Sequence, residues 1–413
     1  MDVSAQTAPP RLAGMGKMEF IALMAMLMAL NALAIDIMLP GLQEIGSTLG
    51  VENENHRQYV ISAYLLGFAF AQLAYGPLAD RFGRRTPMLI GLGIYIVAAF
   101  AGAIAPTFAS LLLLRFVHGI GSAATRVITV SIIRDVFGGR QMAEAMSLVM
   151  MVFMIVPVIA PGTGQVIMLF AEWHMIFVFM GLAGIVVTLW MALRLPETLD
   201  PADKRPFNPR AIAQAFGIVL SNRLALCYTL ASTFIFGSLF GFINSAQQVY
   251  VGIYDLGTMF PVAFAAVAAF MALSSYLNSR LVGRFGMRKI SHGALIGFLI
   301  VSAIWFLLSL FGTVPFPLFI TLFALAMFQF GLIGSNFNSL AMEPLGHVAG
   351  TASSVLGFMG TAGGGLIGAL IGQAFDGTTT PLAFGFVSVA VIGLVFVLIA
   401  ERGKLFHAHH KPI

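Results

Sequence analysis

Apolar runs of about 20 residues, each long enough to cross roughly 30 Å of hydrocarbon, recur from end to end of this chain. There are twelve, near 18–39, 58–78, 87–106, 110–134, 143–168, 174–193, 224–249, 257–279, 290–312, 316–340, 348–373 and 381–400. Lipid offers no hydrogen-bond partner to backbone N–H and C=O groups, so spans of this length must be helical. Composition agrees: of 413 residues 59% are hydrophobic and only 9% charged, whereas a soluble domain is about a quarter charged. The expected fold class is an all-α polytopic membrane protein with twelve transmembrane helices. The first run is too long for a cleaved leader and reads as an uncleaved helix. The single Cys227 excludes an intrachain disulfide and any multi-cysteine metal site, and no cofactor is implied.

Basic residues set the expected orientation. With the N-terminus in the cytoplasm, 19 of the 22 Lys and Arg fall on cytoplasmic segments, among them Arg11, Lys17, Arg194, Arg402 and Lys411. Arg57 lies outside, and Arg115 and Arg126 lie within the membrane. Both termini are therefore expected inside, and the formal net charge of +5 is explained by topology rather than by a nucleic-acid partner.

The longest polar stretch, LPETLDPADKRPFNPRAIAQAF (195–216), follows the sixth run and divides the chain. The expected organisation is a cytoplasmic N-terminus 1–17, a six-helix bundle 18–194, a cytoplasmic linker 195–223 with a short surface helix near 207–216, a second bundle 224–401 and a tail 402–413. LADRFGRRT (78–86) and LVGRFGMRK (281–289) share Leu, Arg, Phe, Gly and Arg in register, 203 residues apart, as parallel repeats in a transporter would. The His-containing tail HAHHKPI (407–413) reads as a solvated segment.

GPLADRFGRRTPML (76–89) matches the loop signature of the major facilitator superfamily, and the chain resembles that family along almost its whole length. The resemblance implies two pseudo-symmetric six-helix bundles. It also implies a cytoplasmic gating loop of Gly76, Asp80, Arg81, Gly83, Arg84 and Arg85, latched to the start of span eleven and to Asp135 at the end of span four. The second copy has Gly283 in place of Asp80, which implies an asymmetric latch. ALAIDIMLPGL (32–42) and RFVHGIGSAA (115–124) resemble signatures of twelve-span drug:proton antiporters. VPVIAPGTGQ (156–165) resembles their fifth-span motif through Pro157, Pro161, Gly162 and Gly164, with Ala160 where a Gly usually stands. EPLGHVAGTASSVLG (343–357) resembles the bicyclomycin/chloramphenicol resistance (Bcr/CflA) branch.

Charges inside a membrane are expensive and usually functional. Asp36 and Arg115 fall near one depth, and an ion pair between them is expected. Burial and a guanidinium act on such a carboxyl in opposite senses, which suits proton coupling; a permanent structural pair is the other reading. Arg126 follows Arg115 by eleven residues, about 20° past three turns and ~16 Å along the axis. Arg115, His118, Ser122, Arg126 and Thr129 thus form one stripe, expected to line a central cavity. Arg126 has no acid at its depth, so its partner is a substrate group, water or a backbone carbonyl. His118 is a titrating group or a packed one. Met146, Met150 and Met154 suit adaptable recognition or plain packing. In the second half, Asn244, Gln247, Gln329 and Asn336 are the polar cavity candidates.

These features predict a proton-coupled exporter of small amphipathic compounds, monomeric, in a bacterial inner membrane and working by alternating access. Its expected partners are a small-molecule substrate, protons and the lipid bilayer. A transporter of one anionic metabolite and a non-transporting receptor are the alternatives. No nucleotide loop, metal constellation or nucleophile–base pair suggests an enzyme.

Overall fold

The computed structural model describes residues 14–204 and 209–406; Arg11, Lys411 and the histidines of the tail lie outside them. Among the described residues twelve helices are long and apolar enough to cross a membrane, six before residue 195 and six after residue 222. They are α1 (Lys17–Asp36), α2 (Tyr59–Phe82), α3 (Arg85–Ala103), α4 (Phe108–Val136), α5 (Gly139–Phe170) and α6 (His174–Arg194). The second six are α7 (Arg223–Gln247), α8 (Phe260–Phe285), α9 (Met287–Ser309), α10 (Phe316–Met342), α11 (Ala352–Gln373) and α12 (Thr380–Ala400). An additional linker helix runs Pro209–Ser221, ending later than the sequence suggests, where Asn222 caps α7 by accepting from the Ala225 N–H at 3.0 Å.

Local chemistry sets the boundaries. Thr107 accepts from the Ser110 N–H at 3.2 Å and starts α4, satisfying a donor that the first turn leaves free. Gly83 (φ +90°) ends α2 and Gly286 (φ +80°) ends α8. Both need a left-handed conformation that a side chain disfavours, so the two copies of the repeat make the same turn in each half. Pro157 and Pro161 lie inside α5, which runs through both without a break. The Gly-rich stretch of α11 departs from α-helical pitch in one π turn, Met359–Gly363.

In the first half α4 packs on α2 and α3, and α1 on α5; in the second α7 packs on α11, α12 and α10. Small residues permit the closest of these approaches. A Cβ on Gly119 would fall 2.0 Å from the Tyr64 carbonyl oxygen, and one on Gly67 1.9 Å from that of Phe116. This contact carries Tyr64 against the polar residues of α4. The halves meet along α2/α11 and α5/α8. Large apolar side chains such as Leu113, Leu193 and Phe311 point outward, as a lipid-facing surface requires.

Candidate functional site

The polar chemistry sits in three places: the interior of the first half, the end of the molecule bearing residues 195–222 (the linker end), and the opposite end.

In the interior, Arg115 is fully buried. It does not pair with Asp36, contrary to the sequence expectation. Its Nη2 donates to the Ala34 carbonyl (2.9 Å), its Nε to that of Val60 (3.2 Å), and its Nη1 meets His118 Nδ1 (3.1 Å). The guanidinium carbon also lies 4.5 Å from the Tyr64 ring centre. The physical reason is helix termination. Ala34 is in the last turn of α1, where carbonyls lack helical donors and the helix dipole favours a cation. Asp36 is buried, and its Oδ1 has no hydrogen-bond partner among the described residues.

The stripe on α4 also divides differently than expected. His118, Ser122 and Thr129 are fully buried and line no open space. His118 packs edge-on against Tyr64 and Tyr95, and Ser122 accepts from the Tyr64 hydroxyl at 2.7 Å. That hydroxyl also reaches Asn31 Oδ1 at 2.8 Å, a residue the sequence reading did not single out. Arg126 alone of the stripe is exposed, although protein surrounds it, and no hydrogen bond or ion pair of its own is found among the described residues. Met146 and Met150 are half-buried and pack on the core; the Met154 side chain lies outside the described residues. Gln329 packs against Gly297 of α9. Asn336 is buried, donating to Asn278 of α8 at 2.7 Å. Asn336 thus serves a contact within the second half, and Gln329 is half-buried.

At the linker end, Arg84 is buried between Asp135 (2.7 Å) and Asp80 (2.6 Å). Burial acts against its charge, but the two carboxylates outweigh this and hold the guanidinium above its ordinary value. Among the described residues Asp80 thus meets Arg84, within the first half, and no bond from it to the start of α11 is found. Glu197, missed from sequence, accepts from the backbone N–H groups of Arg84 (2.8 Å) and Arg85 (3.1 Å), an anion where the N-terminus of α3 favours one. Arg85 donates to the Leu195 carbonyl at 2.9 Å. Arg81 is exposed, and Gly76 faces Ser354 of α11. The second copy uses Arg288, which binds Glu343 (3.1 Å) and Glu401 (2.7 Å).

The opposite end is closed by neutral amides. Asn55 donates to the carbonyls of Gln373 (3.0 Å) and Phe375 (2.9 Å), and its own carbonyl accepts from Gln373 (2.6 Å). Gln248 donates to Asn55 Oδ1 (2.6 Å), and Gln58 bonds Gln248. Gln247 donates to Gln43 at 3.2 Å, and Asn244 is buried beside Gly372. Gln247 therefore belongs to this closure, while the Asn244 amide is buried at the same end without a hydrogen-bond partner among the described residues. Gly164 brings α5 against the Ile37 carbonyl, and Gly162 faces Pro261 of α8. Among the described residues, hydrogen bonds between the halves occur here and, at mid-depth, from Gln72 to Thr361 (3.2 Å). Singly, Gln and Asn at span ends look like ordinary interfacial residues; their common location at one end of several spans was the available signal.

Residues 21–369 match the sequence profile of the Major Facilitator Superfamily. The chain belongs to this superfamily. As a member it is a multi-pass membrane transporter, not an enzyme. The MFS-type transporter YdgK of Bacillus subtilis is 32% identical, across 94% of this chain and 97% of its own length. A bicyclomycin resistance protein homolog of Haemophilus influenzae is 31% identical, across 91% and 94%. The multidrug resistance protein MdtL of Escherichia coli (strain K12 / DH10B) is 27% identical, across 93% and 96%. Among solved structures, a bacterial homolog of the human lysosomal transporter Spinster, inward-facing and occupied, superposes with a TM-score of 0.72 at 18% identity, covering 93% of this chain and 96% of that one. The human organic anion transporter MFSD10 gives 0.67 at 17% identity, covering 94% and 100%. At these identities the superfamily member shares the fold alone with both.

The amide closure yields a direct prediction. A typical hydrogen bond contributes about 1 kcal/mol, and 1.4 kcal/mol is about tenfold in an equilibrium. Gln58→Ala with Gln248→Ala is expected to raise the labelling rate of a cysteine at Asn244 (N244C, with Cys227→Ser) by roughly tenfold from the amide end. An unchanged rate would show that these amides do not hold the end shut.

Proposed function

We propose that this chain is a proton-driven exporter of small, partly apolar compounds, in which the bundles 18–194 and 224–401 rock about one substrate site. The names of two relatives, a bicyclomycin resistance protein homolog and a multidrug resistance protein, favour drug-like cargo. The excess of Lys and Arg supports an orientation with the linker end and both termini on the cytoplasmic side of a bacterial inner membrane. The amide end then faces outward, so the conformation described is closed to the outside. A monomer suffices, since each half completes the other.

The observation that carries the coupling is Asp36, a buried carboxyl without an ion-pair partner among the described residues. It can gain or lose a proton without breaking a salt bridge. When the amide end opens it meets the outside, and when that end closes it releases its proton inward. Arg115 then shapes the site by holding the end of α1 beside Asp36.

A second reading, transport of one anionic metabolite, is favoured by the exposed Arg126. Proteoliposome flux under an imposed pH gradient, with a panel of neutral, cationic and anionic compounds, separates the two. A charge-assisted hydrogen bond contributes about 1.5–3 kcal/mol. Arg126→Ala is therefore expected to weaken anionic cargo tenfold or more and neutral cargo less than about twofold. Broad neutral and cationic transport supports drug export; strict preference for one anion would replace it with the metabolite reading.

A further inference from the structure

The second half carries a buried polar cluster that the transport reading does not use. His292 on α9 is fully buried, as are Tyr228 on α7 and Glu401 just beyond α12. The Tyr228 hydroxyl lies 2.8 Å from His292 Nε2 and 2.6 Å from Glu401 Oε1. Arg288, one turn before His292 on α9, donates to Glu401 at 2.7 Å and to Glu343, beyond α10, at 3.1 Å. Among the described residues these are the titratable and charged groups facing the ring from the packed elements.

The chain after α12 folds back onto this cluster. The Gly403 N–H bonds the Leu398 carbonyl (2.8 Å) and the Arg402 N–H that of Ile399 (3.4 Å), with left-handed backbone at Arg402 (φ +53°). This is a Schellman turn, and it returns Phe406 to α9. There the Phe406 N–H lies 3.1 Å from His292 Nδ1, and its ring packs edge-on at 5.8 Å from the imidazole.

A backbone N–H can only donate, so Nδ1 must be the acceptor and the ring proton of neutral His292 sits on Nε2. That proton faces the Tyr228 oxygen, whose own proton goes to Glu401. A second proton can only enter at Nδ1. It would place two donors face to face, and the Phe406 bond cannot survive.

We propose that His292 is an acid-released latch: the neutral imidazole holds residues 402–406 against α9, and the imidazolium lets them go. Arg288, which binds Glu401 just before the docked segment, lies in the second copy of the loop repeat. That this face is cytoplasmic rests on the orientation proposed above; the latch itself does not.

The test is electron paramagnetic resonance of a spin label at Lys404 (K404C with Cys227→Ser) in nanodiscs between pH 8 and 3. The expected spectrum is immobilised at pH 8 and mobile at pH 3, with the docked-to-released ratio falling about tenfold per pH unit below the midpoint, as one proton requires. His292→Asn, whose amide oxygen can accept from Phe406 but cannot be protonated, is expected to stay docked throughout; His292→Ala is expected to be mobile throughout. An unchanged wild-type spectrum overturns the latch. So does a pH response that persists in His292→Asn and disappears in Glu401→Gln. Should the His292 variants fail to fold, amide exchange at Phe406 in the unsubstituted protein decides: protection lost at low pH supports the latch, and protection kept at pH 3 refutes it.

Discussion

Asp36→Asn is expected to abolish accumulation driven by a pH gradient while sparing exchange of substrate across the membrane. Asn matches the shape of a neutral carboxyl, and Asp36 makes no ion pair among the described residues that the change would break. Only the exchangeable proton is removed. A gradient of one pH unit supports about tenfold accumulation for each proton exchanged, so accumulation in the variant should fall to the equilibrated level. Counterflow at symmetric pH should stay within about twofold of wild type, because the rocking of the halves and the substrate site are unchanged. Gradient-driven accumulation that survives the substitution removes Asp36 from the coupling.

Arg115→Gln should act through stability as well as transport. The side chain donates to Ala34 and Val60, meets His118, and lies over Tyr64, all fully shielded from solvent. Hydrogen bonds from a charged group contribute about 1.5–3 kcal/mol, so a loss of roughly 2–3 kcal/mol is expected, read as a lowered thermal unfolding midpoint in nanodiscs. Arg115→Lys should rescue little. A single ammonium cannot reach two carbonyls on different helices and stack on a ring at once. Full stability and flux in Arg115→Lys would show that charge alone matters at this position.

The twelve spans were legible because hydrocarbon imposes their length and polarity one segment at a time. The two loop copies were legible for a similar local reason: Gly83 and Gly286 must each end a helix with positive φ. What could not be read locally was the choice among partners at one depth. Asp36 and Arg115 sit close in depth, but the free carbonyls ending α1 compete for the guanidinium and win. The α4 stripe shows the same limit. Helical spacing puts His118, Ser122 and Arg126 on one face, yet packing against Tyr64 and Tyr95 buries the first two and leaves only Arg126 accessible. The amide closure joins residues up to 320 positions apart, and its members carry no charge that would single them out.

The most direct test of proton-driven export is simultaneous recording of proton and substrate movement in proteoliposomes at zero membrane potential. Substrate added to one side should drive protons toward that side, and an imposed pH gradient should drive substrate against its own gradient, with both movements lost in Asp36→Asn. Substrate movement that proceeds at the same rate and to the same extent with and without a pH gradient, and with no accompanying proton flux, would contradict the account.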